Sequence, residues 1–273
     1  MSVLEALILG IVQGLTEFLP VSSSGHLVLL QKIFGISESA LLFDTMVHAG
    51  TLAAVFIVLR QDIGNILRRL IQPLTFYLII ATLPAVAAAL LFKDKIEEAF
   101  ASGGFLGFAF LITSALLLVS GFISGKWENV KEGPLKGQDK MTWVDALVIG
   151  ILQGVAVIPG VSRSGSTLSG ALSRRLDRDF AARFSFLLSI PAILGALALQ
   201  LKDLASGAAP EVSGGIGAAP IIAGTLAAGV VGFFSVRLML KIVRTRSLTG
   251  FAVYTAVLGV LVLIDQFGAH FFF

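Results

Sequence analysis

The chain has 273 residues, of which 56% are hydrophobic and only 14% charged, with a net charge of +3. A water-soluble domain carries about 25% charged residues, so this composition leaves too little polar surface for a soluble globule and places the chain in lipid. Cysteine is absent, which excludes disulfides and thiolate metal sites. The basic charge follows the loops rather than one exposed face, so nucleic acid is not an expected partner.

The N-terminal segment carries Glu5 and no positive cluster, so no cleavable signal pattern is expected there. The first apolar stretch, 3–34, is interrupted by LPVSSSGH at 19–26. Bare non-helical backbone cannot face lipid, because its N–H and C=O groups would go unpaired. The stretch therefore reads as a re-entrant helix–loop–helix hairpin. Spans follow near 43–60, 74–92 and 104–124, each close to the 20 or so helical residues that cross the hydrocarbon core. A second interrupted stretch, 143–175, carries PGVSRSGS at 159–166, and spans near 183–201, 219–240 and 250–267 complete the chain.

Of the 20 Lys and Arg residues, fifteen fall in the loops at 60–75, 125–142, 174–183 and 237–249, and four (Lys32, Lys93, Lys95 and Lys202) in the alternate loops. That bias places the first set in the cytoplasm and both termini outside. The twentieth is Arg163, inside the second hairpin.

LILGIVQGLTEFLPVSSSGHL (7–27) aligns without gaps on LVIGILQGVAVIPGVSRSGST (147–167) at an offset of 140. Gly10, Gln13, Gly14, Ser22, Ser24 and Gly25 match Gly150, Gln153, Gly154, Ser162, Ser164 and Gly165. Three spans separate the copies, so the copies are expected to be inverted, 1–124 against 141–273 within one membrane domain. Inverted repeats with broken helices form their binding site where the breaks meet. The expected fold is an all-α integral membrane protein, with six transmembrane helices plus two re-entrant hairpins in an inverted-topology repeat.

The copies diverge where chemistry would lie. Glu17 stands opposite Val157, Ser23 opposite Arg163, and His26 opposite Ser166. Arg163 offers a planar fork for phosphate oxygens, and Ser22, Ser24, Ser162, Ser164, Ser166 and Thr167 add hydroxyls around it. A structural Arg paired with Glu17 is the bland alternative, but charges inside a membrane are usually functional. Gln13 and Glu17 share a helical face and could hold a divalent ion through oxygen, or Glu17 could act as general base. The attacking group could be water, Ser23 or His26, with acid–base assistance the favoured role for His26. His48 and Asp44, four apart, read as a supporting pair or a local hydrogen bond. Asp145 reads as a helix-start residue, and His270 is given no role.

These motifs, QGLTEFLPVSSSGH and PGVSRSGST, resemble the two signatures of the undecaprenyl-diphosphatase family, also called the bacitracin-resistance protein family. Its (E/Q)-x-x-x-E motif falls on Gln13 to Glu17 and its P-G-x-S-R-S-x-x-T motif on Pro159 to Thr167. FDTMVHAG at 43–50 and FSFLLSIP at 184–191 extend the likeness along the chain. Gln13 stands where many members carry Glu. The resemblance implies release of phosphate from undecaprenyl diphosphate at the outer face of the bacterial inner membrane, helped by Mg²⁺ or Ca²⁺. The partners implied are the polyprenyl diphosphate and membrane lipid; a homodimer is admitted but not specified. The type 2 phosphatidic acid phosphatases share SGH and SR elements, but the His and Asp they need after SR are missing from SGSTLSGAL at 164–172. A prenyl-phosphate transporter is the alternative from another class, since inverted repeats with broken helices also build transport sites.

Overall fold

A computed structural model describes residues 1–36, 41–129, 135–205 and 216–272. It is 82% helical, and among the described residues the only extended pairing is an isolated bridge between Lys136 and Leu176. The helices in chain order are α1 (Val3–Thr16), α2 (Ser23–Ile33), α3 (Leu41–Val58), α4 (Arg60–Arg68), α5 (Pro73–Leu91) and α6 (Lys93–Ser102). They continue with α7 (Leu106–Asn129), α8 (Trp143–Val155), α9 (Arg163–Ser173), α10 (Arg178–Ala205), α11 (Ala218–Thr245) and α12 (Thr249–Ile264).

The expected spans correspond to α3, α5, α7, α10, α11 and α12. Five of these are long and apolar enough to cross a membrane alone, and α3 joins them when taken with α4, from which it is bent by 77°. Helices α4 and α6 were expected as loop. Both are short and rich in charge, and α6 stops at Gly103, whose φ of 64° suits a residue without a Cβ.

Both interrupted stretches are helix–break–helix. Helices α1 and α8 start in capping boxes, Ser2 with Glu5 and Thr142 with Asp145. Each chain then leaves the helix over 17–22 or 156–162 and re-enters it at a serine N-cap. Ser22 accepts from the Gly25 N–H at 3.2 Å, and Ser162 from the Gly165 N–H at 3.0 Å. The matched serines thus satisfy backbone donors that lipid could not.

Helix α1 packs along α11, and α8 along α5. Each docks on a long helix from the other half of the sequence. The matched glycines explain the approach: a Cβ on Gly10 would lie 2.8 Å from Gly224 Cα, and one on Gly150 2.8 Å from Ala81 Cα. Helix α3 lies against α11, α12 against α7, and α9 is enclosed by α7, α8 and α10. The outer faces are apolar, with Phe76, Leu83, Phe122, Leu226, Phe234 and Leu261 exposed, as lipid contact requires. The polar side chains gather inside, where the two breaks meet.

Candidate active site

The centre is Glu17, the first residue past α1. Its neighbour Phe18 is fully buried and meets Phe186 of α10 edge-on, with ring centroids 5.7 Å apart, which anchors this end of the break. Glu17 Oε1 accepts from Arg163 Nη2 at 2.5 Å. Its Oε2 accepts from Ser23 Oγ at 2.6 Å and from Gln13 Nε2 at 3.0 Å. Removing one partner of such a buried pair typically costs about 3–5 kcal/mol, because the other charge is left uncompensated.

Two polar atoms of this centre are buried without a partner: Arg163 Nη1 and Gln13 Oε1. One is a charged donor and the other an acceptor, and both belong to residues bonded to Glu17. Buried polar groups are nearly always paired, so each of these orphaned atoms around Glu17 is a place that a ligand's polar atom would fill. Ser23 is partly exposed, and the Arg163 side chain keeps 16% of its surface exposed, beside a carboxylate side chain that keeps 5%.

The remaining hydroxyls of the motifs lace the two breaks together. Ser164 Oγ donates to the Leu19 carbonyl at 3.0 Å, and the Gly160 N–H donates to Ser24 Oγ at 3.3 Å. Ser22 and Ser24 hydroxyls lie 3.4 Å apart, and those of Ser162 and Ser164 3.3 Å apart. The Ser162 N–H donates to Thr113 Oγ1 of α7 at 2.9 Å. The Thr167 hydroxyl lies 3.0 Å from the Arg163 carbonyl and 2.6 Å from Ser185 Oγ. Ser166 Oγ is buried without a partner.

His26 lies one turn along α2 from Ser23. Its Nδ1 is 2.6 Å from the Ser22 carbonyl oxygen, and its Nε2 is 2.7 Å from Tyr254 Oη. A carbonyl can only accept, so Nδ1 carries the proton, and in the neutral ring Nε2 accepts from the tyrosine. Neither nitrogen is bonded to Glu17: the two bind Ser22 and Tyr254.

His48 comes closer to the carboxylate than its sequence position advertised. Its Nδ1 donates to the Asp44 backbone carbonyl at 2.6 Å, the local hydrogen bond anticipated, while Nε2 lies 3.7 Å from Glu17 Oε2. The Asp44 carboxylate instead accepts from Gln31 Nε2 at 2.8 Å. Asp145 is a helix-start residue as expected and more besides. Fully buried, it accepts from Lys136 Nζ at 2.9 Å and Arg174 Nε at 2.8 Å, which ties the loop before α8 to the end of α9.

A divalent ion would find one carboxylate here. Among the described residues no three His, Asp or Glu side chains converge as a metal site. The orphaned Gln13 Oε1 beside Glu17 does fit a hard cation that takes most of its oxygens from phosphate and water, as Mg²⁺ commonly does.

A helical bundle with an apolar exterior, and two broken helix pairs meeting at a buried ion pair, define an integral membrane protein built around an internal polar centre. The chain belongs to the bacitracin resistance protein BacA family, which it matches over residues 6–261. It is 48% identical over 271 residues to an undecaprenyl-diphosphatase of Carboxydothermus hydrogenoformans, covering 99% of this chain and 100% of that one. It is 45% identical to undecaprenyl-diphosphatase 3 of Bacillus cereus and 38% identical to an undecaprenyl-diphosphatase of Methanosphaera stadtmanae, with 98% of each relative covered.

Proposed function

We propose that this protein hydrolyses undecaprenyl diphosphate to undecaprenyl phosphate and inorganic phosphate, returning the lipid carrier to peptidoglycan synthesis and conferring bacitracin resistance. The observation that carries the reading is the Glu17–Arg163 pair, with Ser23 on the same carboxylate and an unpaired guanidinium nitrogen beside it. The relatives, each described as an undecaprenyl-diphosphatase, supply the substrate.

Arg163 Nη1 donates to the terminal phosphate and, with the half-buried Ser24 hydroxyl, orients it for in-line attack. Ser23 Oγ attacks phosphorus as its proton passes to Glu17 Oε2, already 2.6 Å away. The P–O bond to the bridging oxygen breaks and undecaprenyl phosphate leaves. Water then releases phosphate from Ser23, with His26 giving acid–base assistance from one turn further along α2. Glu17 and Gln13 would hold a divalent ion such as Mg²⁺ or Ca²⁺, which would supply charge neutralisation for the diphosphate. Ser22, Ser162, Ser164 and Thr167 act on substrate through the breaks they hold in shape.

The loop charges favour a site opening to the outer face of the bacterial cytoplasmic membrane. Phosphate release by purified protein in detergent tests the activity, since hydrolysis needs no second compartment whereas transport does. Multiple turnovers are expected, with loss in Arg163→Ala. A well-folded wild-type protein without turnover on a polyprenyl diphosphate would overturn the reading.

A further inference from the structure

Tyr254 is on α12, where its neighbours Val253 and Val257 face outward and Tyr254 itself is 47% exposed. A tyrosine on the lipid-facing side of a span ordinarily points its hydroxyl toward the membrane–water interface. This one turns inward, and its Oη lies 2.7 Å from Nε2 of the buried His26. The rings stack with centroids 5.7 Å apart and planes 10° apart. Phe110 of α7 meets the same imidazole edge-on at 5.4 Å. With Nδ1 held by the Ser22 carbonyl, both nitrogens are bonded and the ring is packed by two aromatic neighbours.

We propose that Tyr254 is a positioning residue for His26. Its hydroxyl donates to Nε2, holding the imidazole as the Nδ1–H tautomer with the Nε2 lone pair set in one direction. The stacked ring fixes the plane of the imidazole. An anchoring tyrosine would need only some acceptor and a wet surroundings. Here the acceptor is Nε2, the nitrogen of His26 that carries no proton, and the phenol plane lies within 10° of the imidazole plane. An imidazole held at both nitrogens has little rotational freedom left to lose during turnover. The role in turnover rests on the phosphatase reading above; the hold on the imidazole does not.

The test compares Tyr254→Phe, which keeps the stack and removes the hydroxyl, with Tyr254→Leu, which removes both. Phosphate release from undecaprenyl diphosphate in detergent gives kcat and KM, and ¹⁵N spectra of histidine-labelled protein give the state of Nε2, assigned by its loss in His26→Ala. In Tyr254→Phe, kcat should fall about tenfold, the scale of one hydrogen bond to a working group, with KM within about twofold. The Nε2 resonance should move from that of a hydrogen-bonded acceptor to that of a free lone pair. Tyr254→Leu should lose more. An unmoved Nε2 resonance in Tyr254→Phe, or a raised KM at wild-type kcat, would overturn the proposal. Should the wild-type chain release no phosphate, the phosphatase reading falls, and the Nε2 resonance alone decides whether Tyr254 holds His26.

Discussion

Glu17 and Arg163 lie 146 positions apart in the chain and 2.5 Å apart in the fold. Neither copy of the repeat carries both. The first carries the acid and the second the guanidinium, so the charged pair exists only where the two breaks meet.

Arg163→Lys keeps the charge but loses the planar fork, so one terminal nitrogen can no longer serve Glu17 while another serves phosphate. Turnover should fall by at least about a hundredfold, roughly 2.7 kcal/mol of transition-state stabilisation. Arg163→Ala should also lower thermal stability, because Glu17 is left buried and unpaired. A lysine variant with near-normal kcat would mean that the arginine acts as bulk charge.

Glu17→Gln removes the proton acceptor of Ser23 and should abolish most turnover, whereas Gln13→Glu, the other form of the motif, should be tolerated. Initial rates across a Mg²⁺ series check both. Intact rate and metal dependence in Glu17→Gln would move the base and cation roles away from this carboxylate.

Much of this was legible in the sequence because a serine-rich break in an apolar helix has few places to go. The hairpins, their break residues and the Glu17–Arg163 complement follow from that rule and from the offset of 140. Other features were hidden. Helices such as α3 and α12 are apolar nearly all round, so hydrophobic periodicity does not reveal which face turns inward. His48 therefore showed only its neighbour Asp44, not its approach to Glu17, and Tyr254 was not singled out from its apolar run. The docking of α1 on α11 and α8 on α5 is equally non-local; the matched glycines at 10 and 150 mark the repeat but do not name the helix that each approaches.

Gly150→Ala tests that exchange. The new methyl would press on the Ala81 backbone, and overpacking of this kind costs about 1–3 kcal/mol. The melting temperature in detergent should drop, and the Gly10→Ala variant should behave alike against Gly224. Unchanged melting in both would mean that the helix pairs can slide apart freely.

Orientation is checked by cysteine labelling, since the chain has none of its own. Ser102 and Asp139 are both exposed, at opposite ends of α7 and its following loop. In intact cells an impermeant maleimide should label Ser102→Cys and spare Asp139→Cys. The reverse pattern would invert the membrane orientation and bring the site's opening to the cytoplasm.

In the proposed reaction Ser23, with Glu17 as its base and Arg163 on the phosphate, cleaves the terminal phosphoryl group. Rapid quench of the purified protein with undecaprenyl diphosphate labelled in that phosphate tests it most directly. Serine attack should leave a transient acid-stable label on the protein that disappears in Ser23→Ala. Acid-labile, base-stable label, lost instead in His26→Ala, would identify a phosphohistidine and contradict it.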